Sequence, residues 1–249
     1  MGKITTQAGL AVEHFGERVR SGKYGHRLIR DLYAVPNKTP SVRIPRDMIS
    51  EGWWAARAWR FEDAEQTRFS DEFCRRQRED ALENFDLNMA FFAQIPPDSF
   101  EDALTELLRK NKSLRPIVDL RSLDGDEGVY LMVLDEYRQA YLGQSGDIRA
   151  RIKRHWSGAK QFDRLLWGST HESVLSIDSF RALDTTRVFA ARTIRADSLE
   201  TKLVNTFPPD YLLNRIGGGA VAGMRALFIG AEVKRRQLAP HAGPNSPDI

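Results

Sequence analysis

Apolar residues run without a polar break from Val129 to Leu134. Val129, Leu131 and Val133 fall on one parity and Tyr130, Met132 and Leu134 on the other, the pattern of a strand buried on both faces. Asp135-Glu136 interrupts the run with charge and predicts a turn. Gln139 to Gly143 reads as a second short strand, so the pair predicts a hairpin. Gly143, Ser145 and Gly146 then open a helix, with Ser145 or Asp147 at its N-cap. On that helix Ile148 and Ile152 share a face suited to the sheet, while Arg151 and His155, four apart, share another. Thr186 to Ile194, with Val188 and Phe189, predicts a third strand. Leu199, Leu203 and Phe207 recur four apart and predict a helix over 196–207, with Glu200 at the edge of the stripe. Pro208-Pro209 stops it.

Before Gly128 the periodicity is helical. Leu10 to Val19 and His26 to Tyr33 carry short helical patterns. Pro36, Pro40 and Pro45 then interrupt an extended basic stretch, read as a loop on its own domain rather than an arm on a partner. Trp53, Trp54 and Trp59 lie within seven residues of one another and predict a core cluster. Phe69, Phe73, Ala81, Phe85, Met89 and Phe92 predict a long helix over 62–94. Ser99 with Asp102 has the form of a capping box for a further helix ending near Lys110. Residues 1–120 thus read as a mainly helical N-terminal domain, closed by the turn chemistry of Asp124-Gly125-Asp126. Residues 121–218 hold the predicted sheet. Within them Phe162, Leu165, Leu166 and Trp167 suggest a packed helix. Gly217-Gly218-Gly219 lacks the strand-loop-helix setting of a nucleotide-binding fingerprint. Residues 219–249 read as a last helix, Val221 to Leu238, whose Lys234-Arg235-Arg236 end suits a helix C-terminus or a phosphate, and a frayed tail. The fold class expected is α+β: a small three-stranded antiparallel sheet flanked by helices, preceded by helices.

Composition narrows the function classes. The 249 residues, 41% apolar and 29% charged, fit one large or two small globular domains. No apolar run is long enough to span a membrane, and Met1 to Leu10 lacks the features of a signal peptide. The single cysteine, Cys74, excludes an internal disulfide and a cysteine-built zinc site. A cytoplasmic location is therefore expected. The five histidines show no metal-ligand spacing. Residues 1–120 carry 19 basic and 19 acidic residues, so the net charge of +3 belongs to the rest of the chain. Within 141–164 six basic residues face two acidic ones. Arg149, Lys153, Arg154 and Lys160 are the candidate phosphate contacts of a basic helix. A solvated helix face would have the same composition.

The tyrosine stretch resembles a known family. Gly128-Val129-Tyr130 and Tyr141-Leu142-Gly143, followed by Arg151 and His155, resemble the two tyrosine motifs and the arginine–histidine helix of the GIY-YIG nucleases. Val129 and Leu142 stand in place of isoleucines. Glu200 resembles the family's metal-binding glutamate, and Leu212-Leu213-Asn214 its closing asparagine motif. The resemblance spans about 128–214 and is silent on residues 1–120. It implies a DNA endonuclease of restriction, phage-defence or mobile-element type that uses Mg2+ or Mn2+. It also implies roles. Tyr130 is a candidate general base, with Tyr141 and His155 orienting water or assisting its deprotonation. Arg151 binds a phosphate oxygen and Glu200 the metal, while Asn214 is structural or positioning. Taken singly, a tyrosine in a strand is an ordinary packed aromatic and a helical glutamate an ordinary solvated one; the ordered set carries the reading. A structure-specific repair nuclease, or a non-cleaving nucleic-acid-binding protein of the same fold, are the alternatives. DNA is the expected partner, a homodimer is left open, and no membrane is expected.

Overall fold

The computed structural model describes residues 4–5, 11–12, 15, 27–158, 160–215 and 236–238. Two short strands, β1 (Ile4–Thr5) and β2 (Ala11–Val12), pair antiparallel. Six α-helices follow among the described residues: α1 (Arg30–Tyr33), α2 (Glu51–Arg57), α3 (Asp71–Gln94), α4 (Pro97–Lys110), α5 (Ile148–Ser157) and α6 (Ala196–Thr206). Strands β3 (Arg115–Pro116), β4 (Gly128–Leu134), β5 (Gln139–Ser145) and β6 (Arg187–Arg192) form an antiparallel sheet of order β3-β6-β4-β5. The protein is therefore α+β. The three expected strands are present, and Arg115–Pro116 adds a short fourth at the edge beside β6.

The parity of β4 explains the layering. All seven of its residues are buried. Tyr130, Met132 and Leu134 join a core with Phe73, Phe85 and Phe92 of α3 and with Ile148, Ile152 and Trp156 of α5. Val129, Leu131 and Val133 join a second core with Phe100, Leu104 and Leu107 of α4 and with Leu203 and Val204 of α6. Side chains alternate across a strand, so one strand feeds both cores. Each fully buried large apolar side chain contributes about 1.5–3 kcal/mol.

Several expected elements are corrected. The 62–94 helix begins only at Asp71, because Ser70 caps it by accepting from Phe73 N at 3.1 Å. Before it the Asp63 carboxylate accepts from the amide and hydroxyl of Thr67, and Gln66 has φ 56°, so turn chemistry overrides the spacing of Phe69 and Phe73. Helix α4 starts at Pro97, placing Ser99 and Asp102 inside it and not in a capping box. Proline's fixed φ suits the first helical position. Only the turn Arg30–Tyr33 is helical in the 26–33 stretch as described, and Ala11–Val12 is strand rather than helix. Phe162–Arg164 is a single 3-10 turn, not a helix. The Arg164 and Leu165 carbonyls accept instead from the Arg215 guanidinium. The tryptophans do not form a core: Trp59 is exposed, Trp53 and Trp54 are half-buried, and Arg57, Arg46 and Arg76 lie over Trp53, Trp54 and Trp59.

Most of the predicted last helix, and the tail after it, lies outside the described residues. Arg236 to Leu238 are not helical. Their amides at Arg236 and Leu238 donate to the carbonyls of Glu172 and His171. Arg236 is buried over Phe91 and Phe92 and donates to Gln139 Oε1 and the Leu212 carbonyl. Burial pushes its pKa down to about 9. A phosphate contact by Arg236 is thereby ruled out in this conformation. No helix among the described residues is long and apolar enough to cross a membrane.

Candidate active site

The site is built where β4 and β5 meet α5. Tyr130 pairs with Gly143 across the hairpin. A Cβ at Gly143 would stand 2.4 Å from Tyr130 Oη and 2.5 Å from its Cζ, so only glycine lets the ring lie across β5. Tyr141, diagonal to Tyr130 on the same face, places its ring centroid 6.2 Å away. Asp147 caps α5 by accepting from Ala150 N at 2.9 Å, which resolves the two N-cap candidates. Ile148, Ile152 and Trp156 anchor the helix in the core. Arg151 and His155 are thereby turned to the tyrosines.

A hydrogen-bonded chain runs through these groups. Tyr130 Oη lies 2.8 Å from His155 Nε2. His155 Nδ1 lies 2.5 Å from Asp178 Oδ1, and Lys160 Nζ donates to Asp178 Oδ2 at 3.1 Å. Asp178 comes from the 3-10 turn Ile177–Ser179, capped by Ser176. The Asp178 carboxyl is held below the usual range: burial works against ionisation, but the bond to His155 and the charge of Lys160 prevail. An ionised carboxylate only accepts, so Nδ1 carries a proton. Burial lowers the His155 pKa and outweighs the upward pull of Asp178, so the ring is neutral near pH 7. Nε2 is then an acceptor, and the Tyr130 hydroxyl donates to it.

Both tyrosine hydroxyls are raised in pKa, chiefly by burial: Tyr130 well above its ordinary value and Tyr141 to about 12. The Arg151 guanidinium lies close enough to both hydroxyls to pull the other way. Glu200, buried on α6, lies close enough to raise both as well. The structure thus brings Tyr130, Tyr141, Arg151, His155 and Glu200 together. Gln144 and Asp197 hydrogen-bond between β5 and α6, tying the helix of Glu200 to the tyrosine hairpin.

No family model, curated protein or solved structure matches this chain.

Asn214 stands apart from the reacting groups. Its amide donates to the Leu142 carbonyl at 2.8 Å and its Oδ1 accepts from Leu142 N at 3.1 Å. The candidate phosphate contacts divide. Arg154 is exposed and Lys153 half-buried. Arg149 is paired with Asp124 at 2.6 Å, and Lys160, a quarter exposed, is paired with Asp178. Sequence reasoning missed Asp178, because its segment has no periodicity. The available signal was one carboxylate in a mostly apolar stretch, Val174, Leu175, Ile177 and Phe180, interrupted only by Ser176 and Ser179.

Among the described residues no three or more His, Cys, Asp or Glu side chains form a metal cage. His155 and Asp178 are committed to each other. Glu200 is the carboxylate beside the tyrosines, and a carboxylate oxygen suits a hard cation otherwise bound by water and phosphate.

Proposed function

We propose that the chain is a metal-dependent endonuclease of the GIY-YIG type that hydrolyses phosphodiester bonds of DNA. One observation carries the reading: Tyr130, Tyr141, Arg151, His155 and Glu200, contributed by four elements, meet around a relay whose proton positions suit general-base chemistry. Glu200 would hold Mg2+ or Mn2+, which when bound neutralises phosphate charge and acidifies water.

The protein's own groups divide the remaining work. An attacking water gives its proton to Tyr130 as the Tyr130 proton passes to His155 Nε2. Asp178 stabilises the resulting imidazolium through Nδ1. A tyrosine with a raised pKa is a poor tyrosinate at rest, so the two transfers are concerted. Arg151 keeps the hydroxyls oriented and presents guanidinium donors to a phosphate oxygen, where charge grows in the transition state. Exposed Arg154 and neighbouring Lys153 supply backbone affinity.

Plasmid nicking in Mg2+ and in EDTA, with gel shifts, tests this. Glu200→Ala should lose nicking on the order of a thousandfold while still shifting DNA, since affinity rests on Lys and Arg. Arg151→Ala should weaken both, because it removes a phosphate contact as well as transition-state stabilisation. Wild-type cutting in EDTA, or full activity of Glu200→Ala, would sink the metal-dependent reading.

A further inference from the structure

The far end of the relay opens on a second feature. Asp178 and Lys160, which close the Tyr130–His155 chain, also line a cleft of about 270 Å3. Its wall is apolar: Leu28, Ile29, Leu32, Val35 and Leu165. Ile29, Leu32 and Val35 are 46%, 65% and 55% exposed, a cluster of wet aliphatic side chains. Two further lining groups point to a ligand. Tyr33 is 9% exposed and Ser179 6%, and the hydroxyls of both lack any hydrogen-bond partner of acceptable geometry. Ser179 is near enough to draw the Tyr33 hydroxyl downward in pKa, against the burial that raises it to about 12. Buried hydroxyls left without partners are destabilising unless something bonds to them. Lys160 and Arg181 line the cleft as well, Lys160 paired with Asp178 at 3.1 Å and Arg181 donating to the Asp178 and Phe180 carbonyls.

We infer that this cleft takes one unstacked nucleobase of the strand held in the active site, an assignment that rests on the nuclease reading above. The chemistry selects a base. A heteroaromatic ring has two apolar faces for the aliphatic wall and a polar edge for the hydroxyls, each of which both donates and accepts. Its attached phosphate meets Lys160 and Arg181. The volume falls just under the ~300–1,000 Å3 of drug-sized sites, enough for one ring system and too little for a peptide helix. Position agrees: only the His155 ring and two hydrogen bonds separate the Tyr130 hydroxyl from Asp178 on the cleft wall.

The test uses the full chain and a variant that should fold. Tyr33→Phe with Ser179→Ala removes two buried hydroxyls without hydrogen-bond partners, so its melting temperature should stay level or rise. Isothermal titration with the four deoxynucleoside 5′-monophosphates, and with 2-deoxyribose 5-phosphate as the baseless probe, is run in EDTA. At least one nucleotide should bind with Kd near or below about 1 mM, and the sugar phosphate about tenfold more weakly. The double variant should weaken the nucleotide by about tenfold and leave the sugar phosphate unchanged, as expected for lost hydrogen bonds to the base. Sequencing of cut plasmid ends should then show a base preference beside the cut that the variant flattens. Equal binding of nucleotide and sugar phosphate, no binding of either, or undiminished nucleotide affinity in the variant overturns the base site. Base-dependent binding without nicking in Mg2+ upholds the cleft and overturns the nuclease reading instead.

Discussion

Which imidazole nitrogen bears the proton decides what Tyr130 can do. Asp178 fixes Nδ1–H, and so leaves Nε2 to accept from the tyrosine. The pH dependence follows with a definite sign. His155 must be neutral to receive a proton, so activity falls on acidification through its pKa, which burial sets below the ordinary 6.5. Asp178 raises that pKa, while Arg151 and Lys160 lower it. Asp178→Asn should therefore move the acid limb of the nicking profile to lower pH, even as the plateau rate drops about 10²-fold for want of charge on the imidazolium. An unchanged acid limb would show that the carboxylate does not act through His155. At this scale the sequence was uneven. Two tyrosines, an arginine and a histidine stand at readable spacings on regular elements. Asp178 and Ser179 sit in a 3-10 turn and Tyr33 ends a four-residue helix, short elements whose neighbours in space are distant in the chain.

Strand β5 is an edge strand, and its outer backbone needs partners. The segment Leu212–Asn214 supplies them. Leu213 N donates to the Ala140 carbonyl at 2.9 Å, and the Asn214 side chain closes both polar groups of Leu142. Asn214 is thus a backbone surrogate one residue from both Tyr141 and Gly143. Asn214→Ala would leave a buried N–H and a buried C=O unpaired, at about 1–3 kcal/mol each. Urea unfolding should show a loss of about 2–4 kcal/mol with an unchanged slope; a loss under 0.5 kcal/mol would mean that water substitutes for the amide. Elements were legible where one signal dominated. The double-sided apolar run of β4 could only be a buried strand, and the stripe of α5 a helix on it. The helix over 62–94 was overextended because Phe69 and Phe73 keep helical spacing through a turn that Asp63 and Ser70 impose. The two-residue strand Arg115–Pro116 has no periodicity to read.

The sheet has no face that residues 117–215 cover alone. Helices α3 and α4, both N-terminal, each cover one face. Polar ties run the same way. Arg187 of β6 bridges Glu101 of α4 and Asp135. Asn84 and Asn88 of α3 donate to the Ser173 carbonyl at 2.8 and 2.9 Å, and Arg138 donates to the Phe92 carbonyl at 2.7 Å. The sequence suggested a boundary near 120 because the chain there is polar and turn-rich, yet both cores cross it. Burial of one strand on both faces requires two covers, and here the chain before Arg115 supplies half of each. A fragment of residues 117–249 should therefore fail to fold cooperatively. It would lack α3, α4 and the edge strand β3, expose Tyr130, Met132 and Leu134 on one side, and expose Val129, Leu131 and Val133 on the other. At about 25 cal/mol per Å2, the loss of roughly 600 Å2 of apolar burial already matches the upper end of the 5–15 kcal/mol by which a typical domain is stable. Circular dichroism against urea should give a shallow, sloping curve in place of a sigmoid, with strong binding of a hydrophobic dye. A sigmoidal transition with retained nicking would instead make the tyrosine sheet an autonomous unit, with the N-terminal helices free to serve target choice alone.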